Sequence, residues 1–172
     1  MPYLAVLMFA IFFAGFAMTV NEGLWSNAIT LFCVMLAGVI AVPGGLALTG
    51  YVVAQAQPSP ENEWAFKFGS IWGVFFFAVM ILRIATDRIS RIRMKFVKPL
   101  DVAGGILLGL VVSLMLTSFS AMMLYIPFAS VVWKVEDAAP WQKQTIHSFA
   151  NPMFSTILAF HGQDVSDRIS KR

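Results

Sequence analysis

The chain has 172 residues, of which 59% are hydrophobic and only 12% are charged. Soluble domains carry roughly 25% charged residues, so the charged side chains of this chain are too few to cover a soluble surface. The composition therefore excludes a soluble globular domain, a disordered chain and a basic nucleic-acid-binding module. Cys33 is the only cysteine, which excludes a disulfide framework and a multi-cysteine metal site.

Four uncharged stretches, separated by clusters of charged residues, predict four transmembrane helices. The stretches are Tyr3–Val20, Leu24–Ala54, Phe68–Leu82 and Val102–Trp133. A helix needs about 20 apolar residues to cross the hydrocarbon layer, and backbone groups in lipid must be satisfied within the helix itself. We therefore expect an all-α, polytopic membrane protein. Its spans are expected at about residues 2–20, 27–50, 64–84 and 102–126, within a membrane domain of residues 1–133.

The first two stretches each leave an alternative. No Lys or Arg precedes Lys67, whereas a secretory signal peptide opens with a basic segment, so the first stretch is expected to be a retained helix. The second stretch has 31 residues and contains Pro43, which two glycines follow. Because proline removes a helical hydrogen bond, we expect a kink or a partly unwound turn at Pro43, with a re-entrant break as the alternative.

The basic residues are concentrated between the third and fourth spans. Six of the twelve lie between Arg83 and Lys98, against one acidic residue, Asp87. Because cytoplasmic loops of membrane proteins are enriched in Lys and Arg, this segment is expected in the cytoplasm. With four spans, both termini then face outward, and so does the tail of residues 134–172.

The same basic segment is predicted to extend the third helix as an amphipathic helix that ends before Pro99. Apolar residues recur there at spacings of four, three and four, at Ala85, Ile89, Ile92 and Phe96. Basic residues line an adjacent face, namely Arg88, Arg91, Lys95 and Lys98. This basic face is expected to lie on anionic lipids of the inner leaflet, where each cation contributes about 1 kcal/mol of attraction. A docking site for another membrane protein is the alternative.

Small residues recur every four positions in the later spans. They are Gly69 and Gly73 in the third span, and Gly105, Gly109 and Ser113 in the fourth. Helices associate in lipid where small residues let their backbones approach closely. We expect these residues to pack within one four-helix bundle, with contact between copies in a homo-oligomer as the alternative.

Asp101 lies where the fourth span begins. Its carboxylate is predicted to cap that helix by accepting backbone N–H groups, at the end where the helix dipole favours an anion. A proton or cation site at the membrane edge is the alternative. The four uncharged stretches contain no ionisable side chain of the kind that coupled transporters and proton pumps usually carry, which argues against coupled transport.

A short amphipathic helix is predicted in the tail. Asn151 and Pro152 are residues typical of a helix start, and Gly162 is placed to end the helix. Its apolar residues are expected to lie in the outer membrane interface. His147 and His161 have no Cys or carboxylate at metal-ligand spacing, so neither a metal nor a cofactor is expected.

Catalysis is not expected, since the sequence contains neither His-Glu-x-x-His nor Gly-x-Ser-x-Gly. The arrangement resembles the colicin V production protein (CvpA) family over about residues 1–126. The resemblance lies in the four spans, in the Asn21–Trp25 turn, and in the basic extension that leads into Pro99–Gly109. The family pattern at the start of helix four, an Asp followed by glycines, matches Asp101, Gly105 and Gly109.

This resemblance implies a bacterial inner-membrane protein without known catalysis, associated with colicin V production and with envelope or biofilm phenotypes. Some relatives join such a unit to an extracytoplasmic serine protease, which agrees with an outward C-terminus. The expected function is a membrane scaffold or accessory factor in toxin production or secretion, or in envelope homeostasis. The alternative is a small channel or facilitator, formed by oligomerisation around helices two and four.

Overall fold

The computed structural model describes residues 3–59, 62–89, 97–125, 132 and 134–162. All regular structure in these residues is helical, which confirms the predicted all-α class. The helices are α1 (Tyr3–Thr19), α2 (Leu24–Ala56), α3 (Glu63–Ile89), α4 (Lys98–Tyr125) and α5 (Pro140–His161), with a single 3-10 turn at Val135–Asp137 before α5. Each predicted span corresponds to one of α1 to α4. Three of them, α2, α3 and α4, are long and apolar enough to cross a membrane, and α1 is a shorter apolar helix of 17 residues.

The central helices of the bundle are α2 and α4. Helix α2 packs against α3 and α4, and α4 packs against α1 and α5 as well as α2. Helix α3 lies at the periphery, and its buried residues are Ile71 and Phe75. The Phe75 ring stacks on Phe119 of α4 with the ring centroids 4.1 Å apart, and Trp72 meets Phe119 edge-on at 5.1 Å. These aromatic contacts link the peripheral helix to the centre.

Helix α2 continues through Pro43 without a break, so neither the partly unwound turn nor the re-entrant break is present. A close approach to α3 lies half a turn beyond the proline. A Cβ built at Gly45 would be only 2.5 Å from the Ile71 Cα, so the two backbones touch there. The hydroxyl of Thr49 donates a hydrogen bond to the Gly45 carbonyl at 2.8 Å, inside the helix. Packing against α3 therefore supports the helix next to the position where its own hydrogen bonding is weakened.

The tail helix differs from the short interfacial helix that the sequence predicts. It ends as expected, with Gly162 at a φ of 66°, but it begins at Pro140 rather than near Asn151 and has 22 residues. Pro140 occupies the first turn, where no N–H is needed, and the Gln142 Oε1 accepts the Ala139 N–H at 3.3 Å. The buried side of α5 packs against α4 and α2 through Ile146, Ala150, Met153 and Ile157. This apolar face therefore joins the core of the bundle instead of lying alone on a membrane surface.

Candidate functional site at the basic end of the bundle

The ends of four helices meet at one end of the bundle. There α1 ends at Thr19, α2 begins at Leu24, α3 ends at Ile89 and α4 begins at Lys98. We refer to this as the basic end, because Arg83, Arg88 and Lys98 belong to it. Polar side chains from all four helices hold these ends together.

Asp101 caps a helix, but not the helix that the sequence suggests. Because α4 begins at Lys98, Asp101 already lies in its first turn, and its Oδ1 accepts the Leu24 N–H of α2 at 2.9 Å. Gly23 precedes Leu24 and has no side chain to cap α2 itself. A Cβ at Gly23 would be 3.0 Å from the same oxygen, so a glycine there lets the carboxylate approach. The carboxylate thus stabilises the start of α2, where the N–H groups lack partners and the dipole favours an anion.

Asn27 joins three elements from a fully buried position. Its Nδ2 donates hydrogen bonds to the Thr19 carbonyl at 3.0 Å and to the Gly105 carbonyl at 2.8 Å. The first of these carbonyls ends α1, where intrahelical partners run out. Asn27 was not predicted as a bonding residue from the sequence, although an Asn inside an otherwise apolar stretch was the available signal.

The small residues of α4 lie against α1 and the turn that follows it. A Cβ at Gly105 would be 2.6 Å from the Glu22 carbonyl oxygen, and one at Gly109 would be 3.0 Å from the Thr19 Oγ1. One turn further along, Ser113 is fully buried, with its Oγ 3.4 Å from a Cβ built at Gly15. Gly105, Gly109 and Ser113 thus all make close contacts within the chain, as their spacing predicts.

The predicted packing glycines of α3 are placed differently. A Cβ at Gly69 or Gly73 would meet nothing within 4 Å, because α3 turns its buried side, around Ile71 and Phe75, toward α2 and α4. Both glycines instead line an open groove of about 380 Å³ beside Leu48. Neither glycine makes the intramolecular contact that its spacing suggests.

Arg83 is the centre of a second polar network at the basic end. Its Nη1 donates to the Thr30 Oγ1 at 2.7 Å and to the Ser26 carbonyl at 3.1 Å, and its Nη2 donates to the Ser26 Oγ at 2.7 Å. Two carboxylates lie beside the guanidinium, with the Asp87 Oδ2 3.3 Å from Nε and the Glu22 Oε2 3.6 Å from Nη2. The Ser26 hydroxyl in turn donates to Glu22. The fork of Arg83 thus holds the end of α3 against the first two turns of α2.

The predicted basic face is described only in part. Arg88 is exposed near the end of α3. Lys98, predicted on the extension of the third helix, is instead the exposed first residue of α4, and Arg91 and Lys95 lie outside the described residues. The exposed pair contrasts with Arg83, whose donors are directed at Ser26 and Thr30 of α2, at Glu22 and at Asp87. In the described part of the chain, no group of three or more His, Cys, Asp and Glu side chains is placed to hold a metal ion.

Replacing Asp101 with alanine is expected to lower the free energy of unfolding by about 1–2 kcal/mol, because the start of α2 loses its acceptor and its nearby anion. Asp101→Asn keeps an acceptor oxygen and removes only the charge, so a loss of roughly 0.3–1 kcal/mol is expected. The measurement is an equilibrium unfolding titration with sodium dodecyl sulfate in mixed micelles. An alanine variant as stable as the parent would show that the carboxylate does not hold α2.

Comparisons with family models, with curated proteins and with solved structures give no match to this chain. The function is therefore proposed from the sequence and the geometry of the chain itself.

Proposed function

We propose that this chain is a non-enzymatic protein of the bacterial inner membrane, of the colicin V production type. It acts as a scaffold or accessory factor in toxin production or secretion, or in envelope homeostasis. The observation that supports a scaffold is that the cations of the basic end differ in their surroundings. Arg83 is bound by groups on α2 and α3, while Arg88 and Lys98 remain exposed.

A scaffold needs a rigid support and an accessible surface on it, and the basic end offers both. The Asp101–Leu24 bond, the bonds of Asn27 and the Arg83 network fix four helix ends relative to one another. Exposed cations beside this fixed platform attract anionic lipid headgroups or an acidic surface on a partner protein. In this proposal the basic end faces the cytoplasm, as the excess of Lys and Arg favours, and the termini face outward.

A channel around helices two and four is the less favoured candidate. The polar residues of α4 face the bundle: Ser113, Thr117, Ser118 and Ser120 are all buried. The Ser118 hydroxyl bonds to the backbone of α5, and the hydroxyls of Thr117 and Ser120 bond within α4. These groups contribute to packing rather than to a pore lining.

The scaffold proposal is tested by crosslinking the full-length, tagged chain in bacterial membranes and identifying the chains that co-purify. We expect a stable heteromeric complex that is lost when Arg88, Arg91 and Lys95 are all replaced with glutamine. The matched control replaces Lys134 and Lys143, two cations away from the basic segment, and should leave the complex unchanged. Failure to find any heteromeric complex, together with solute flux through liposomes that contain the purified chain, would favour the channel instead.

A further inference from the structure

Two polar side chains inside the bundle each keep one oxygen atom without a hydrogen-bond partner. Asn27 and Ser113 are fully buried, and within the described residues neither the Asn27 Oδ1 nor the Ser113 Oγ makes a hydrogen bond. Nearly all polar atoms that are buried in proteins are paired, either with protein groups or with ordered water. An unpaired atom costs the equivalent of roughly 5- to 150-fold in the folding equilibrium. These two oxygens therefore point to a ligand that pairs with them.

Both residues lie where α1, α2 and α4 meet. The Asn27 Nδ2 is 3.4 Å from a Cβ built at Gly109 of α4, and Ser113 follows Gly109 by one turn. The Ser113 Oγ is 3.4 Å from a Cβ built at Gly15 of α1. Neither glycine presents a side chain to these polar groups. The two groups thus lie about one helical turn apart along α4.

The amide of Asn27 is oriented by its own donor atom. Its Nδ2 donates to the carbonyls of Thr19 and Gly105 at 3.0 and 2.8 Å, and the Glu22 carbonyl oxygen is 3.4 Å away. Exchange of the amide nitrogen and oxygen would place Oδ1 against three carbonyl oxygens, so this orientation is fixed. Oδ1 therefore remains an acceptor, and its donor must come from outside this network.

Ser113 differs from the hydroxyl residues that follow it on α4. The hydroxyls of Thr117 and Ser120 donate to the carbonyls four and four residues before them, at 2.8 and 3.0 Å. The corresponding carbonyl for Ser113 belongs to Gly109, and it accepts the Thr19 hydroxyl at 3.3 Å. Since a carbonyl oxygen has two lone pairs, the helix and Thr19 together occupy it. The Ser113 hydroxyl is therefore left without the usual acceptor inside its own helix.

We propose that one or two internal water molecules bind at this junction, paired with the Asn27 Oδ1 and the Ser113 Oγ. Water suits both groups, because it donates to the amide oxygen and either donates to or accepts from the hydroxyl. Neither side chain is charged, so a neutral ligand is favoured over an ion. At ordinary hydrogen-bond lengths one water bridges groups about 5.5 Å apart, which is close to one helical turn. We refer to this as the buried water site.

The buried water site does not depend on any partner at the basic end. It adjoins the bonds through which Asn27 joins the end of α1 to α4. Buried waters that pair with otherwise unsatisfied groups are part of a fold and are costly to remove. The water is therefore expected to stabilise the junction of α1, α2 and α4.

Ser113→Ala tests the site by the direction of its effect on stability. Water-mediated hydrogen bonds are nearly as favourable as direct ones, so the unfolding equilibrium constant is expected to rise about three- to tenfold relative to a matched control. The control is Ser120→Ala, the same change at a buried residue of α4 whose hydroxyl bonds back to its own helix, a bond that contributes little. The gain in helix propensity is the same in both variants. Unfolding titrations of the full chain in mixed micelles compare them.

Two results of this titration would overturn the proposal. If Ser113→Ala is more stable than Ser120→Ala, the Ser113 hydroxyl is buried dry, because alanine relieves the cost of an unpaired polar atom. If the two variants are equally stable, Ser113 loses no more than a bond within its own helix. Neither result bears on a heteromeric complex at the basic end, which is measured separately by crosslinking.

Water-edited solid-state NMR of the native chain in bilayers detects the water without a substitution. Magnetisation from water is expected to reach the Hβ protons of Ser113 faster than those of Ser120, because dipolar transfer falls steeply with distance. Ser113 is 15 residues from Lys98, the start of α4, about 22 Å along the axis, whereas Ser120 is close to the other end of α4 at Tyr125. Bulk water alone would therefore favour Ser120. Transfer to Ser113 that is equal to or slower than transfer to Ser120 would contradict the buried water site.

Discussion

A single methyl group added at Gly45 is expected to destabilise the bundle, whereas the same group at Gly73 is not. A Cβ at Gly45 would be 2.5 Å from the Ile71 Cα and 2.9 Å from the Ile71 backbone nitrogen. Because backbone atoms cannot rotate away as a side chain does, α2 and α3 must separate. Overpacking of this kind costs about 1–3 kcal/mol. Separation of the two helices also breaks the contact between Gly45 and Ile71, which holds α3 against α2 next to Pro43.

Gly73→Ala is the matched control on the other helix of the same pair. Gly73 lies inside α3, and a Cβ there would meet nothing within 4 Å. Alanine is a better helix former than glycine by about 1 kcal/mol in a helix interior, so the control is expected to be neutral or slightly stabilising. Unfolding titrations in mixed micelles compare the two variants with the parent. Equal stability of Gly45→Ala and Gly73→Ala would contradict the close approach of α2 and α3.

Replacing Arg83 with methionine is expected to lower the free energy of unfolding by about 2–3 kcal/mol, because several charge-assisted hydrogen bonds are lost together. Methionine keeps much of the side-chain length, but it leaves Ser26, Thr30 and two carboxylates without their shared donor. Arg83→Lys keeps the charge without the planar fork, so an intermediate loss is expected. The same unfolding titration measures both variants.

Arg88→Met is the control for Arg83, since it removes a cation from the exposed side of the same helix. Surface substitutions of this kind usually change stability by no more than about 0.5 kcal/mol. In the proposed function, however, Arg88 belongs to the basic face, so its loss should weaken partner binding without unfolding the bundle. An Arg83→Met chain as stable as Arg88→Met would show that the network does not hold α3 to α2.

The candidate site could be predicted only in part from the sequence. Asp101 was identified as a cap from its place before an apolar stretch, yet its partner is the Leu24 N–H, 77 residues away. No local pattern encodes that pairing, since it depends on which helix ends become neighbours. Asn27 and Arg83 were predicted neither to bond across helices nor to act together, because a single polar residue within or next to an apolar run does not reveal its partner. Gly69 and Gly73 have the spacing of a packing motif, but spacing alone does not say which side of a helix meets a neighbour.

For the tail helix α5, the sequence predicted the end of the helix correctly but not its start. Its end at Gly162 followed from a local rule, because glycine adopts the positive φ that ends a helix at little cost. Its start did not, because Asn151-Pro152 imitates a helix start although the helix runs through both residues. Burial of Ile146 and Ala150 against α4 and α2 favours helix there, and tertiary packing outweighs the local signal of Pro152.

By itself, the sequence determined that this chain is built of apolar helices. It predicted four membrane spans, and three of the helices in the described residues are long and apolar enough to cross a membrane. That conclusion follows from composition and spacing, because each residue carries its own cost of transfer into lipid and each helix satisfies its own backbone. Only the tertiary structure decided that Asp101 caps α2, that Arg83 joins α3 to α2, and that α5 packs into the bundle with a polar side outward. A polar group's partner is set by the positions of whole helices, and these positions result from the packing of all of them together.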